Sequence, residues 1–330
     1  MAKQDLRNDR TKTTSGHYVK RIISIHEKEK KYQKYLPSII FERKANISGG
    51  CLHLYSDNED WEDQWDDNWF FIDENLRSHA KLFSVKSGPD AKGIPTVYYD
   101  PLSRTAFFEN NNYYGWLKSV ALALMGDVFE DNHRIFSSHS ALLEVNGKGT
   151  MIIGPSGTGK TTLSYGLLKE KGNKIIADDW FYFKFLNGSV IGYRSEKNTY
   201  IRADLGQTWK EYKDIMKYAK VDNKGRAIAN LSKVVGKEKL IESTEIERVV
   251  LLRREKGKPA VESMKPKEAL NVLVKNDFFN PHILQHTEWK GKIRREAFER
   301  LLKKAEILLL NTIETPQESL NRILDFAEKY

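Results

Sequence analysis

The run Gly154-Pro155-Ser156-Gly157-Thr158-Gly159-Lys160-Thr161 fits the pattern G-x-x-x-x-G-K-[ST] at every position. An apolar, strand-like stretch at 150–153 leads into it, and a helix-like stretch at 161–170 leads out, closed by Lys171-Gly172. Each residue type has a reason. Glycines let successive backbone N–H groups turn inward around phosphate oxygens. The helix that follows adds its N-terminal amides and partial positive charge. Lys160 supplies a mobile ammonium for β and γ phosphates, and the Thr161 hydroxyl is a ligand for Mg²⁺. The loop therefore predicts a nucleotide site made by residues 154–162, Thr162 included, with ATP and Mg²⁺ as cofactors.

About a dozen residues after that helix begins, the short strand at Lys174–Ala177 delivers Asp178 and Asp179. Paired carboxylates at a strand end beside a phosphate loop suit two tasks: one holds the metal and the other takes a proton from an attacking hydroxyl. Lys160 and the metal offset the repulsion between them.

The rest of the chain organises around this core. Residues 1–44 are polar and basic, with Lys28, Lys30, Lys31, Lys34, Arg43 and Lys44 close together, and read as an arm. Residues 45–130 read as a smaller α+β region. It has strand-like runs at 51–55, 69–72, 96–99 and 105–109, and a buried helix at 116–129. Between them, 57–74 is acidic and free of Lys and Arg. Trp61, Trp65 and Trp69 there recur every four residues, as on one face of a surface helix. From 131 to 330 the texture is strand–loop–helix. Strands are expected at 141–145, 174–177, 180–185, 189–194 and 246–252, and helices at 207–219, 296–310 and 316–330. The fold class expected is α/β on a mixed sheet.

Composition excludes some classes and leaves others open. No apolar run reaches the roughly 18 residues a membrane span needs, and the first 20 residues have no apolar segment of a secretory leader. Cys51 is the sole cysteine, so neither an internal disulfide nor a cysteine metal site is available. A cytoplasmic, membrane-free protein is expected. The formal net charge of +9 is compatible with nucleic acid without demanding it.

Several segments, in order, resemble the superfamily of HPr kinase/phosphorylase and ATP-dependent phosphoenolpyruvate carboxykinase. Ser138-His139-Ser140-Ala141 precedes the loop by one hairpin. Ser156 through Ser164 is similar to the carboxykinase loop. Ile176-Ala177-Asp178-Asp179 resembles the Ala-Asp-Asp of HPr kinase. Glu196-Lys197-Asn198-Thr199-Tyr200-Ile201-Arg202 keeps the carboxykinase spacing of Glu, Tyr and a basic residue, and Tyr113 through Lys118 resembles its Tyr-x-Gly-Glu-x-Lys-Lys element. The likeness covers about residues 110–205. It implies a P-loop kinase-like core and an ATP-dependent phosphotransferase. Asp178 would be the base, with Asp179 and Glu196 at the metal beside Thr161. His139 would lie near the transferred phosphoryl group, and Arg202 near phosphate or an acidic acceptor. Trp116 and Ser119 stand where the carboxykinase element has glutamate and a second lysine, which disfavours oxaloacetate chemistry. The acceptor stays open: the hydroxyl of a protein serine or a small metabolite, a nucleic-acid hydroxyl, or none at all in a nucleotide-driven switch. An oligomer is left open as well.

Overall fold

The computed structural model describes residues 18–86, 93–202, 205–217, 219–222 and 226–329. The chain forms two compact units. One ends at Arg134 and also takes in His282–His286; the other runs from Ile135 to Pro281 and from Thr287 onward.

The first unit is a six-stranded mixed sheet with helices. Its strands are β1 (Val19–Ile22), β2 (Phe41–Ile47), β3 (Gly50–Ser56), β4 (Ala80–Val85), β5 (Thr96–Asp100) and β6 (Thr105–Glu109), ordered β1-β5-β6-β4-β3-β2. Residues 1–17 of the expected arm lie outside the described residues. Residues 19–44 form β1, helix α1 (Ile25–Tyr35) and the start of β2, so this stretch is built into the sheet. Helix α1 begins at a capping box in which Ser24 and Glu27 satisfy each other's backbone N–H. It lies over a ladder of rings: Tyr55 stacks on Phe83 at 4.5 Å and Phe83 on Phe107 at 4.8 Å. The acidic stretch holds α2 (Asp60–Asn68), and Trp61, Trp65 and Trp69 are all buried. Residues 69–72 do not form the expected strand. Phe70 makes a single bridge to Asn46, because Trp69 is spent capping α2 through its N–H to the Trp65 carbonyl. Helix α3 (Tyr114–His133) is apolar all round and buried along most of its length. Its Asp127 accepts hydrogen bonds from the Tyr99 hydroxyl and from Gln285 Nε2, both at 2.6 Å.

The second unit is built on a nine-stranded mixed sheet. Strands β7 (Phe136–Ser138), β8 (Ala141–Val145) and β9 (Lys148–Ile153) precede the loop, and helix α4 (Lys160–Leu167) follows it. Next come β10 (Lys174–Ala177), β11 (Phe181–Leu186) and β12 (Ser189–Arg194). An excursion then forms a separate three-stranded sheet from β13 (Asn198–Arg202), β14 (Ala219–Val221) and β15 (Arg226–Asn230), with the short helices α5 (Leu205–Thr208) and α6 (Leu231–Val235). The chain returns through β16 (Ser243–Arg253), β17 (Val261–Ser263), α7 (Pro266–Lys275), α8 (Glu288–Leu302), β18 (Glu306–Asn311) and α9 (Pro316–Lys329). The main path is β10-β8-β9-β16-β12-β11-β7, and β16 also pairs with β18. The pairs β9–β16 and β16–β18 are parallel; the others on this sheet are antiparallel. The α/β class expected from sequence is the class observed.

Two expected helices differ. Residues 306–310 are strand β18. Ile307, Leu308, Leu309 and Leu310 are all buried, so the run lacks the alternation that separates strand from helix. The stretch 207–219 breaks at Trp209, whose backbone is extended. Its indole donates to the Thr162 carbonyl at 2.7 Å, and its ring leaves Gly166 no room for a side chain. Packing on α4 overrides local helix propensity there.

Arg248 fixes the sheet to the last helix. It is 2% exposed, and it donates to the Val145 carbonyl at 3.0 Å and to the Ala327 carbonyl at 2.7 Å. Arg248→Ala strips two carbonyls of a charged donor and is expected to cost about 2–3 kcal/mol. A urea titration would read this as a lower midpoint at unchanged slope.

Candidate nucleotide site

The loop leaves the central strand β9 and turns back into α4, all within the second unit. Gly154 is required by space: a Cβ there would sit 2.8 Å from both Cβ and the carbonyl oxygen of Leu252 in the neighbouring β16. Gly159 is required by backbone shape, with φ at +100° where the helix begins. Pro155 is buried, and Ser156 and Gly157 form an exposed tip. Thr158 is buried and donates to the Pro155 carbonyl at 2.7 Å, closing the loop on itself. From the far side, the Thr312 hydroxyl donates to the Thr158 carbonyl at 2.8 Å. Thr161 and Thr162 are half-buried in the first turn of α4.

Lys160 lies inside this curl. It is buried, and its ammonium donates to the carbonyls of Gly154 at 2.7 Å and Pro155 at 3.3 Å. Burial pushes its pKa down from 10.5 to about 8, against the opposing pull of the Asp179 carboxylate. Asp179 is thus within electrostatic reach of Lys160. A bound triphosphate needs the ammonium form, and the free protein loses that form as pH rises through about 8. Nucleotide affinity is therefore expected to fall by up to about tenfold per pH unit above that value. Binding there should be accompanied by proton uptake. Calorimetric titrations in buffers of different ionisation enthalpy would check both.

The acid pair follows β10. Asp178 is 4% exposed and accepts a short hydrogen bond from the Thr199 hydroxyl, while the Asp179 side chain is about one-third exposed. His139, in the turn between β7 and β8, faces Asp179: its Nε2 is 3.2 Å from Asp179 Oδ1, and its Nδ1 is 2.9 Å from the Phe279 carbonyl oxygen. Asp179 is thereby linked to both His139 and Lys160.

The remaining expected residues are Glu196 and Arg202. Glu196 is buried after β12, and its charge adds to burial in raising the pKa of the Tyr182 phenol. Among the described residues no group of three or more His, Cys, Asp and Glu side chains forms a metal cage. Arg202 ends β13 opposite Arg226, and its side chain lies outside the described residues. Mg²⁺ fits the residues that remain. The Thr161 hydroxyl and a partly exposed Asp179 carboxylate are hard oxygen donors, and Mg²⁺ is usually held by one or two carboxylates with phosphates and water rather than by an all-protein cage.

A family model described as RNA helicase matches residues 150–247, from the strand before the loop to the start of the long central strand. The matched region holds the phosphate-loop sequence and the acid pair. No curated protein sequence matches the chain. Among solved structures, the Hpr(Ser) kinase/phosphatase from Coxiella burnetii is similar over 58% of this chain and 97% of that one, at 15% identity and a TM-score of 0.33. Among the described residues no helix is long and apolar enough to cross a membrane.

Thr199, Tyr165, Thr312 and the Phe279 carbonyl had no role in the sequence reading. Thr199 lay inside the segment 196–202 and Tyr165 inside the expected helix at 161–170. Thr312 was hidden because the strand before it reads as helix.

Proposed function

We propose that this chain is an ATP-dependent phosphotransferase that moves the γ-phosphate to a hydroxyl of a protein serine or a small metabolite. The observation that supports the reading is that the Asp179 carboxylate lies within electrostatic reach of Lys160, in the same unit, and 3.2 Å from His139. The loop amides and the ammonium of Lys160 hold the triphosphate and meet the charge that spreads over the transferring group. Thr161 and Asp179 would hold magnesium, which would supply charge neutralisation to the phosphates. Asp178 accepts the proton of the attacking hydroxyl. The new bond joins that oxygen to the γ-phosphorus, and the bond from the γ-phosphorus to the β–γ bridging oxygen breaks, releasing ADP. His139 contacts Asp179 and orients it. Glu196 and Arg202 stay as proposed neighbours of the metal and of the phosphate or an acidic acceptor.

A second reading is a nucleic-acid-directed enzyme. The helicase-family match and the +9 charge favour it. The two are separated by a screen of labelled γ-phosphate transfer to proteins, metabolites and nucleic acids. Label on protein or metabolite supports the first. Salt-sensitive binding of DNA or RNA, with label or ATP turnover only in its presence, supports the second. Label transfer to none of them, with ATP bound, removes the phosphotransferase.

A further inference from the structure

We infer that Thr199 is a positioning residue for Asp178, the last link of a buried hydroxyl chain that starts at Tyr165. The inference rests on the phosphotransfer reading above. Tyr165 OH donates to Thr199 Oγ1 at 2.8 Å, and Thr199 Oγ1 donates its one proton to Asp178 Oδ2. The chain runs in one direction only. The Tyr165 phenol is fully buried and its pKa is raised well above 10, so it keeps its proton and acts as donor. Thr199 can then only accept from Tyr165 and give to Asp178.

Three elements meet in this chain. Tyr165 lies on α4, five residues after Lys160; Thr199 lies on β13; Asp178 follows β10. Tyr165 is itself held by Tyr212, which packs edge-on against its ring at 5.2 Å and donates to its carbonyl at 3.0 Å. Exposures of 0%, 1% and 4% for Tyr165, Thr199 and Asp178 place all three hydroxyl and carboxyl groups away from bulk solvent. The donated bond commits Oδ2 and so sets the rotation of the carboxylate. It ties that rotation to the same helix that carries Lys160. The base and the phosphate-holding lysine are thus referenced to one rigid element, which is what in-line transfer requires.

The test uses the full chain with the acceptor found in the transfer screen, or water as acceptor in a magnesium ATPase assay. Thr199→Val keeps the shape and removes the hydroxyl. Its kcat is expected to fall about 10- to 100-fold, with ATP affinity and KM within about twofold of wild type. Thr199→Ser restores the hydroxyl and is expected to recover activity to within about threefold, a rescue a packing role would not give. Tyr165→Phe leaves Thr199 its bond to Asp178 and is expected to lose less than Thr199→Val. Wild-type kcat in Thr199→Val overturns the inference while leaving phosphotransfer intact. So does a loss that Ser fails to rescue, or one that appears in KM and magnesium demand instead of kcat. A wild-type protein that binds ATP but shows no turnover overturns the phosphotransfer reading, and this inference falls with it.

Discussion

Lys160→Met is expected to reduce phosphoryl transfer by about 10²- to 10³-fold, the usual loss when one preorganised donor to a developing anion is removed. The variant should stay folded. In the free protein the ammonium is buried at an energetic cost, as its lowered pKa shows, and its acceptors are two carbonyls of its own loop. An apolar side chain of similar length removes that cost. Stability follows the same logic. The folded state releases this proton near pH 8 and the unfolded state near 10.5, so the unfolded chain binds more protons in between. Lys160 therefore makes folding more favourable as pH rises from about 8 to about 10.5. Nucleotide affinity moves the opposite way over the same window. In Lys160→Met the contribution of this group to both trends should vanish. Thermal melting with and without ATP across that range would show it.

Separating the two carboxylates is expected to give the second large effect. Asp178→Asn should lower kcat by about 10²- to 10⁴-fold with ATP affinity retained, because an amide cannot take the acceptor's proton. Asp179→Asn should act on the metal and on Lys160. It removes a donor for magnesium and a charge that raises the Lys160 pKa, so the fall in affinity should begin below pH 8. Steady-state kinetics with ATP and magnesium varied independently would resolve the two. If Asp179→Asn abolishes kcat at saturating magnesium while Asp178→Asn retains it, the roles are exchanged.

What was legible in the sequence follows from how local each signal is. The hairpin β8–β9, the loop, α4 and the pair after β10 lie within some forty consecutive residues, and their turn glycines and apolar runs mark them without help from the rest of the chain. The tryptophan spacing likewise marked α2, since a helix face is a local property. The strand β18 was not legible. Four consecutive apolar residues carry no periodicity, and its place beside β16 is decided by a partner more than fifty residues away. Trp209 was read as helix because its contact with Gly166 is long-range. The link from Tyr165 through Thr199 to Asp178 was invisible for the same reason. Each of the three residues is ordinary alone, and only the fold of β13 against α4 and β10 makes them a chain.

Binding of ATP to wild type and to Asp179→Asn, each with magnesium and with the metal chelated, is the most direct test that the loop and the acid pair serve one nucleotide. Magnesium is expected to tighten binding to the wild type and to do little for Asp179→Asn. No measurable affinity for ATP in the wild type, or an equal magnesium effect in both proteins, would contradict it.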